Sequence, residues 1–246
     1  MTKPMKRAGF SQGIMEISST KKEEIGTLRI TQDGRKFRYS RAGASALHAG
    51  YMGIAAEPNA QQINGSVVAA SIGDRVVTLT GLTYAAAIAE NALAGGKLHI
   101  NDGTGEGHQY VIESNTAFGA SDTTIIVTLS DPIKVALEAS ASTEASLIPS
   151  PWYGVTESDE EESLPVGVAP CAVTASYYYW AQTGGEAICL VNGTPAVGTM
   201  LTLGATPAGA LQAINTTLDI DQPICAIAYG TVGVSGEFKP VKLMLD

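Results

Sequence analysis

The sequence predicts a mainly β protein with an extended N-terminal arm, a mixed central β-rich domain carrying one short helix, and a C-terminal β-barrel or sandwich domain. Short runs rich in Val, Ile, Thr and Tyr recur along the chain, and glycine-containing turns separate them at intervals of about ten residues. The 246 residues include 27 glycines, and 45% of the residues are hydrophobic. A chain of this length and composition can bury a sizeable core.

Residues 1–26 are predicted to form an extended basic arm, because Pro4, Gly9, Gly13 and Gly26 interrupt any helical period. Residues 1–41 carry ten basic and four acidic side chains, which is +6, and the rest carry five basic and twenty acidic, which is −15; together they give −9. Such asymmetry predicts an arm that is disordered in isolation and orders on an acidic partner surface. A solvated, frayed terminus is the alternative.

The candidate partner-binding residues all lie in this arm. Its cations would supply charge attraction, and its apolar side chains would supply the contacts that bury area. The cations are Lys3, Lys6, Arg7, Lys21 and Lys22, and the apolar anchors are Phe10, Ile14, Met15 and Ile17.

The central domain is predicted over residues 27–147. Thr27–Tyr39 has the pattern of a hairpin that turns at Asp33-Gly34. The helix is expected at Thr83–Leu93, which is rich in alanine, begins with a threonine suited to capping, and is followed by Gly95-Gly96. The expected strands are Val67–Ala70, Arg75–Thr80, Lys97–Ile100, His108–Ile112 and Thr123–Leu129.

Residues 148–170 are predicted to be a proline-rich acidic linker, because they hold four prolines and an acidic cluster that begins at Glu157 and includes residues 159–162. The C-terminal β domain then spans residues 171–246. Its expected strands are Cys171–Gln182, Ala187–Val191, Met200–Leu203, Ile224–Tyr229 and Val241–Leu245, with turns at glycines such as Gly184-Gly185.

The sequence predicts no catalytic residue, no metal site and no cofactor, so we expect a protein that is not an enzyme. His99 and His108 flank a glycine-rich loop with Asp102 and Glu106, but a polar hairpin tip explains this pattern better than a metal or calcium site. No GxSxG motif occurs, and the three cysteines have no CxxC spacing and are expected to be buried free thiols. Neither a secretion signal nor a membrane span is expected.

The aromatic run Tyr177-Tyr178-Tyr179-Trp180 is the one concentrated aromatic feature. Core packing combined with a protein interface is the preferred interpretation, and a carbohydrate-binding platform is the alternative. Nucleic acid would need a basic surface, and outside the arm the chain is acidic, so nucleic-acid binding ranks below protein contact.

Three stretches resemble the head decoration (cement) and minor capsid proteins of bacteriophages. They are Gly26–Gly50, with DGRKFRYSRAGASALHAG; Gly95–Ile112, GGKLHINDGTGEGHQYVI; and Gly167–Asp246. In the last stretch the resemblance depends on Val173, Tyr177, Trp180, Gln182, Gly184 and Ala187. The resemblance implies a β-rich homo-oligomer, often a trimer, on the capsid surface over junctions of the major capsid protein, made in the bacterial host cytoplasm.

The expected function is therefore that of a virion protein that binds the major capsid protein and stabilises the phage head. Another virion part, such as a tail or fibre-base protein, is the first alternative. A carbohydrate-binding module is the second.

Overall fold

The computed structural model describes residues 9–139, 143–157, 163–204, 206–215, 222–230 and 234–246. Within them the chain forms sixteen β-strands, and the sole helical element is a 3-10 turn at Ala60–Gln62. The strands are β1 Leu28–Ile30, β2 Lys36–Ala42, β3 Met52–Ile54, β4 Gly65–Val67, β5 Val76–Thr80, β6 Lys97–Asp102, β7 Gln109–Asn115, β8 Ile125–Leu129, β9 Glu144–Ile148, β10 Tyr153–Val155, β11 Pro165–Val168, β12 Tyr178–Val191, β13 Met200–Leu203, β14 Leu211–Ala213, β15 Ala226–Ala228 and β16 Glu237–Met244.

The chain divides into two compact units, and one is inserted into the other. The inserted unit is Ala56–Tyr153, and the outer unit consists of the described residues within Met1–Ala55 and Gly154–Asp246. The outer unit therefore needs strands from both ends of the sequence to complete its sheet.

The inserted unit is a closed six-stranded barrel with the order β4-β5-β8-β7-β6-β9, antiparallel throughout. Buried and exposed side chains alternate along β5 and β8, so one face of each strand fills the barrel. Leu79, Leu98, Ile125 and Leu129 are among its fully buried residues. Closure pairs every edge, which is one way in which β proteins avoid exposed strand edges.

The outer unit is a ten-stranded sheet built around β12, which is fourteen residues long. The first half of β12 pairs with β2 and the second half pairs with β16, both antiparallel. Because β16 also pairs with β15, the path β12-β14-β13-β15-β16 returns to β12 and these five strands close on one another. Cys189, Val191, Leu201, Leu211 and Val241 contribute to the core inside this ring.

The predicted mainly β fold is confirmed, but the short helix at Thr83–Leu93 is wrong. Ile88 instead forms an extended bridge with Phe118, with reciprocal backbone N–H···O bonds of 2.9 Å. Further along, the Leu93 N–H bonds to the Asn115 side-chain oxygen at 2.8 Å. Ile88 and Leu93 are buried in the barrel core. Tertiary burial and pairing therefore override the helix propensity of the alanines.

The structural units also differ from the predicted domains. Residues 27–55, predicted to belong to the central domain, lie in the outer unit because β2 pairs with β12. The predicted linker 148–170 contains β10 and β11, and β11 pairs with both β3 and β12. Of its acidic cluster, residues 159–162 lie outside the described residues.

The turn predicted at Gly184-Gly185 is absent, since β12 continues through both glycines. A register irregularity between Gln182 and Gly184 marks this point, where β2 pairing ends and β16 pairing begins. Glycine suits such an irregularity, because Gly185 has a φ of 82° and a Cβ there would lie 3.0 Å from Arg35 Cα.

Candidate functional site

The N-terminal segment from residue 9 onward lies against the outer unit's own sheet, and Gln12 holds it there. The Gln12 side chain is buried, accepts a hydrogen bond from the Tyr39 hydroxyl at 2.9 Å and donates to the Tyr178 carbonyl at 3.0 Å. The main-chain carbonyl oxygen of Gln12 accepts hydrogen bonds from Trp180 Nε1 at 3.0 Å and from Arg29 Nη1 at 2.8 Å. The prediction of a free arm is therefore wrong for residues 9–25, because the sheet already supplies partners for this segment.

The predicted partner-binding residues fall into three groups. Phe10 packs edge-on against Trp180 with ring centroids 4.9 Å apart but remains 38% exposed, and Ile14 packs against the same buried aromatic cluster. Ile17 is exposed, Lys21 pairs with Glu24 at 2.8 Å, and the Lys22 N–H donates to the Tyr39 hydroxyl. Lys3, Lys6 and Arg7 lie outside the described residues.

A surface groove of about 590 Å³ lies in the outer unit. Its floor is the outward face of β12 and β16, where Ile188 is 56% exposed and Phe238 is 51% exposed. Met15 and Tyr229 complete the apolar lining, and both are at least half exposed. Large apolar side chains that share one concave surface are typical of a binding site.

The groove's shape depends on Gly50, which lies beneath the Phe238 ring. A Cβ at Gly50 would lie 2.7 Å from Phe238 Cε1, and the residue has a φ of 78°, which a glycine adopts without strain. Tyr51 also lies beside the ring, tilted by 51°, with centroids 6.1 Å apart. Phe238 is therefore held in one place by its surroundings although half of it is exposed.

Polar side chains also contribute to the groove lining. Arg35, Gln182 and Glu186 belong to it, and Lys242 is directly across the ladder from Glu186. Both signs of charge are therefore present beside the apolar floor. Protein interfaces commonly combine apolar and polar groups in this way.

The aromatic run Tyr177–Trp180 is mostly core. Tyr179 and Trp180 are 1% and 0% exposed, and Tyr178 stacks on Tyr39 with centroids 5.9 Å apart. The preferred core interpretation holds for Tyr179 and Trp180, and a carbohydrate platform built on this run is wrong because its largest ring faces inward.

His48 and Glu157 form the one pair in the outer unit's described residues that joins an imidazole to a carboxylate. Their Nδ1 and Oε2 atoms are 2.8 Å apart, and the His48 N–H also contacts the same carboxylate. The nearby Tyr179 hydroxyl is buried without a hydrogen-bond partner, and burial raises its pKa. His48 remains largely exposed, so the pair ties a surface loop to residue 157.

The imidazoles of the inserted unit have contacts of their own. His99 Nε2 lies 3.4 Å from the Gln109 side-chain nitrogen, and His108 Nδ1 lies 2.9 Å from the Gly105 carbonyl oxygen. Across the described ranges no group of three or more His, Cys, Asp or Glu side chains is arranged to hold a metal ion.

The cysteines are free thiols in the described structure, as expected, but only two are buried. Burial raises the pKa of Cys225 to about 12, and it raises the pKa of Cys189 further. Both thiols therefore stay protonated near neutral pH. They are unreactive in this form, because the reactive form of a cysteine is the thiolate. Cys171 is half-buried.

Sequence reasoning missed the groove, because its residues come from seven separate parts of the chain. The one local signal was the spacing of Phe238, Pro240 and Lys242, which places them on one face of a strand. Nothing in that spacing indicated that β12 would supply Glu186 and Ile188 beside them.

No helix in the described part of the chain is long and apolar enough to cross a bilayer. Comparison with protein-family models, with curated proteins and with solved structures found no match to this chain.

Proposed function

We propose that this chain is a structural virion protein that decorates the phage capsid, and that it binds the major capsid protein through the groove of its outer unit. The resemblance of three sequence stretches to head decoration proteins supports the class of function. The exposed apolar groove is the observation that carries the proposed contact.

Burying the groove would be favourable because its apolar side chains now face water. Each Å² of apolar surface removed from water contributes roughly 25 cal/mol. The floor is a paired sheet, and Phe238 packs closely over Gly50 and beside Tyr51, so little side-chain entropy is lost on binding. A rigid apolar site suits a protein that must hold one position on a shell.

The proposed action is to clamp neighbouring capsomers. Each copy covers a junction, and the symmetry of a capsid multiplies a modest free energy per copy by the number of junctions. We also propose that three copies of this chain associate as a homotrimer. Native mass spectrometry at micromolar concentration checks this, and a sharp monomer peak would argue against it.

Phe238→Ser tests the groove. We expect the purified variant to bind empty capsids of the same phage at least tenfold more weakly, since an interface aromatic often contributes about 2 kcal/mol. Met244→Ser is the matched control, because Met244 lies on the same face of β16, is equally exposed at 52% and lies outside the groove lining. Equal capsid binding by both variants would remove the groove from the proposal.

A carbohydrate-binding module is the second candidate, and the same groove favours it. Exposed Tyr229 and Phe238 could stack on sugar rings, while Arg35, Gln182 and Glu186 could bond to hydroxyl groups. Glycan binding that Phe238→Ser abolishes, together with no binding to capsids, would favour this candidate. A tail or fibre-base protein would instead bind tail structures and not heads.

A further inference from the structure

Strand β1 forms an open edge of the outer unit's sheet. It pairs with β2 alone among the described strands, through the register Leu28↔Arg38, Arg29↔Phe37 and Ile30↔Lys36. On its other side no described strand pairs with it.

The hydrogen-bond pattern shows which backbone groups are unused. Tyr39 N–H donates to the Thr27 carbonyl oxygen and Thr31 N–H donates to the Arg35 carbonyl oxygen. Odd-numbered residues of β1 thus face β2, because hydrogen-bonded pairs alternate along an antiparallel ladder. The N–H and C=O groups of Leu28 and Ile30 point away from it, and neither residue bonds to another described group.

Unpaired donors and acceptors two residues apart fit one kind of ligand, which is the backbone of an extended polypeptide. Leu28 is 40% exposed and Ile30 is 59% exposed, on the same face of the strand. An incoming strand with apolar side chains at alternate positions would cover both. The edge therefore selects a ligand with an extended backbone and with apolar side chains at alternate positions.

The charges near the edge favour an acidic segment. Arg29 lies over the Phe10 and Trp180 rings and bonds to the Gln12 carbonyl oxygen, and Lys36 stands opposite Ile30. Neither cation forms an ion pair with a carboxylate among the described residues. Lys36 acts on Asp246 at longer range, where its charge helps to lower the pKa of that carboxyl, so Arg29 carries the positive charge that has no described carboxylate near it.

One antiparallel register of a second copy of this chain fits the edge poorly, and the native mass of the Ile30 variants tests the registers that place Leu28 opposite Leu28 or Ile30 opposite Ile30. Two β1 strands paired antiparallel with Leu28 opposite Ile30 would place Arg29 opposite Arg29 of the second copy. Like charges directly opposite one another on neighbouring strands are destabilising.

We propose that β1 accepts an extended, apolar and acidic segment of the capsid shell protein as an added strand. The identity of the partner rests on the proposed function, whereas the strand geometry does not. The edge is separate from the groove in its residues, so the two can be tested independently.

Two variants of the full chain test the edge. Ile30→Pro removes one outward N–H and leaves every bond to β2 in place, and proline is tolerated on an edge strand where its missing N–H faces solvent. Ile30→Asp keeps the N–H but replaces an apolar contact with a carboxylate that repels an acidic segment. Ile72→Asp is the control, because Ile72 is 67% exposed on a turn of the inserted unit. We expect capsid binding to weaken about tenfold or more in both Ile30 variants, and to be unchanged in the control.

Hydrogen exchange gives a direct readout on the unaltered chain. The Leu28 and Ile30 amides should exchange fast in the free protein and at least about tenfold more slowly when capsids are bound. The Arg29 amide, which faces β2, is the internal control and should be slow in both states.

The outcomes separate this inference from the proposed function. If the chain binds capsids but the Ile30 variants bind equally well, or the two amides stay unprotected, the edge inference is overturned and the decoration function stands. If a lower native mass accompanies either Ile30 variant, the edge pairs with a second copy and the inference is likewise overturned.

If the unaltered chain binds no capsids, a short synthetic peptide of alternating valine and glutamate decides the question. Protection of the Leu28 and Ile30 amides by this peptide, and not by a valine–lysine peptide, would sustain strand addition while the capsid function fails. No protection by either peptide would overturn strand addition as well.

Discussion

Gln12 illustrates how a single buried polar side chain positions a segment that looks unstructured in sequence. Its side-chain amide bonds to Tyr39 and Tyr178, and the main-chain carbonyl oxygen of the same residue accepts from Trp180 and Arg29, so the bonds reach β1, β2 and β12. Buried polar groups are usually hydrogen-bonded, and losing one partner leaves the others uncompensated. The segment that follows, including Met15 in the groove, depends on this anchor.

Gln12→Ala should lower the free energy of unfolding by about 1–3 kcal/mol, because it leaves the Glu16 carbonyl oxygen without its side-chain donor and the buried Tyr39 hydroxyl without its acceptor. Urea denaturation followed by tryptophan fluorescence measures the change. Gln32→Ala, the same substitution at an exposed turn position, should change stability little. Equal effects at both positions would mean that Gln12 does not anchor the segment.

The Arg38–Asp246 ion pair predicts a pH dependence. Hydrogen bonds from Arg38, at 2.8 and 3.0 Å, hold the pKa of the Asp246 carboxyl below its usual 3.8. A lowered folded-state pKa contributes stability above the unfolded-state value, and that contribution is lost as the pH falls through the folded-state pKa.

Asp246→Asn should therefore destabilise the protein by about 1 kcal/mol near neutral pH. Its difference from the unaltered chain should shrink as the pH falls below about 4. Urea midpoints measured across this range check the prediction, and Asp131→Asn, at an exposed carboxylate of the inserted unit, is the control. A difference that stays constant with pH would contradict the assigned role of the pair.

At the scale of elements, β12 organises the outer unit because it pairs with β2 along its first half and with β16 along its second half. Its first half completes the β2 side, and its second half closes the ring with β16 and forms the groove floor. The pairing changes partner at Gly184-Gly185, where side chains would crowd Lys36 and Arg35. The groove and the edge strand β1 thus both depend on β12.

Gly50→Ala should destabilise the protein in two ways, through backbone strain at positive φ and through a clash with the Phe238 ring in the groove. Positive φ alone costs about 1–2 kcal/mol for a residue with a Cβ, and Gly34→Ala isolates that cost because Gly34 has a similar φ of 83° and nothing within 4 Å. We expect Gly50→Ala to lose more stability than Gly34→Ala and also to shift the Phe238 ring resonances in an NMR spectrum. Matching stability and unshifted Phe238 resonances would show that the ring has room to yield.

At the scale of the whole molecule, the two units differ in whether their residues are continuous in the sequence. The inserted barrel is built from one continuous stretch with its own core, whereas the outer unit joins residues from both ends of the chain. Folding of the outer unit therefore requires pairing over long sequence separations, which carries a loop-closure cost.

Expressed alone, residues 56–153 should fold and unfold cooperatively, because all six barrel strands and their core are retained. Residues 171–246 alone, which match the domain predicted from sequence, should not fold, because β12 would lose β2 and β11. Thermal unfolding followed by circular dichroism distinguishes the two fragments. A folded 171–246 fragment beside an unfolded 56–153 fragment would reverse the structural division.

The sequence by itself determined the mainly β class and the local hairpins. The Asp33-Gly34 turn between β1 and β2, and the strands near residues 75–80, 97–112, 123–129 and 200–203, follow from alternation, β-branched side chains and turn glycines. These features act over a few residues, so they can be read without knowing what packs against them.

Only the tertiary structure decided three features. They are the insertion of one unit within the sequence of the other, the non-helical conformation of residues 83–93, and the position of the N-terminal segment. Ile88 pairs with Phe118, Gln12 bonds to Tyr178, and β2 pairs with β12, in each case across a distance in sequence that local pattern does not encode. Alanine propensity and a lack of periodicity describe what a segment does alone. Burial and hydrogen bonding to distant strands contribute more, and they formed the groove and left the outer side of β1 open.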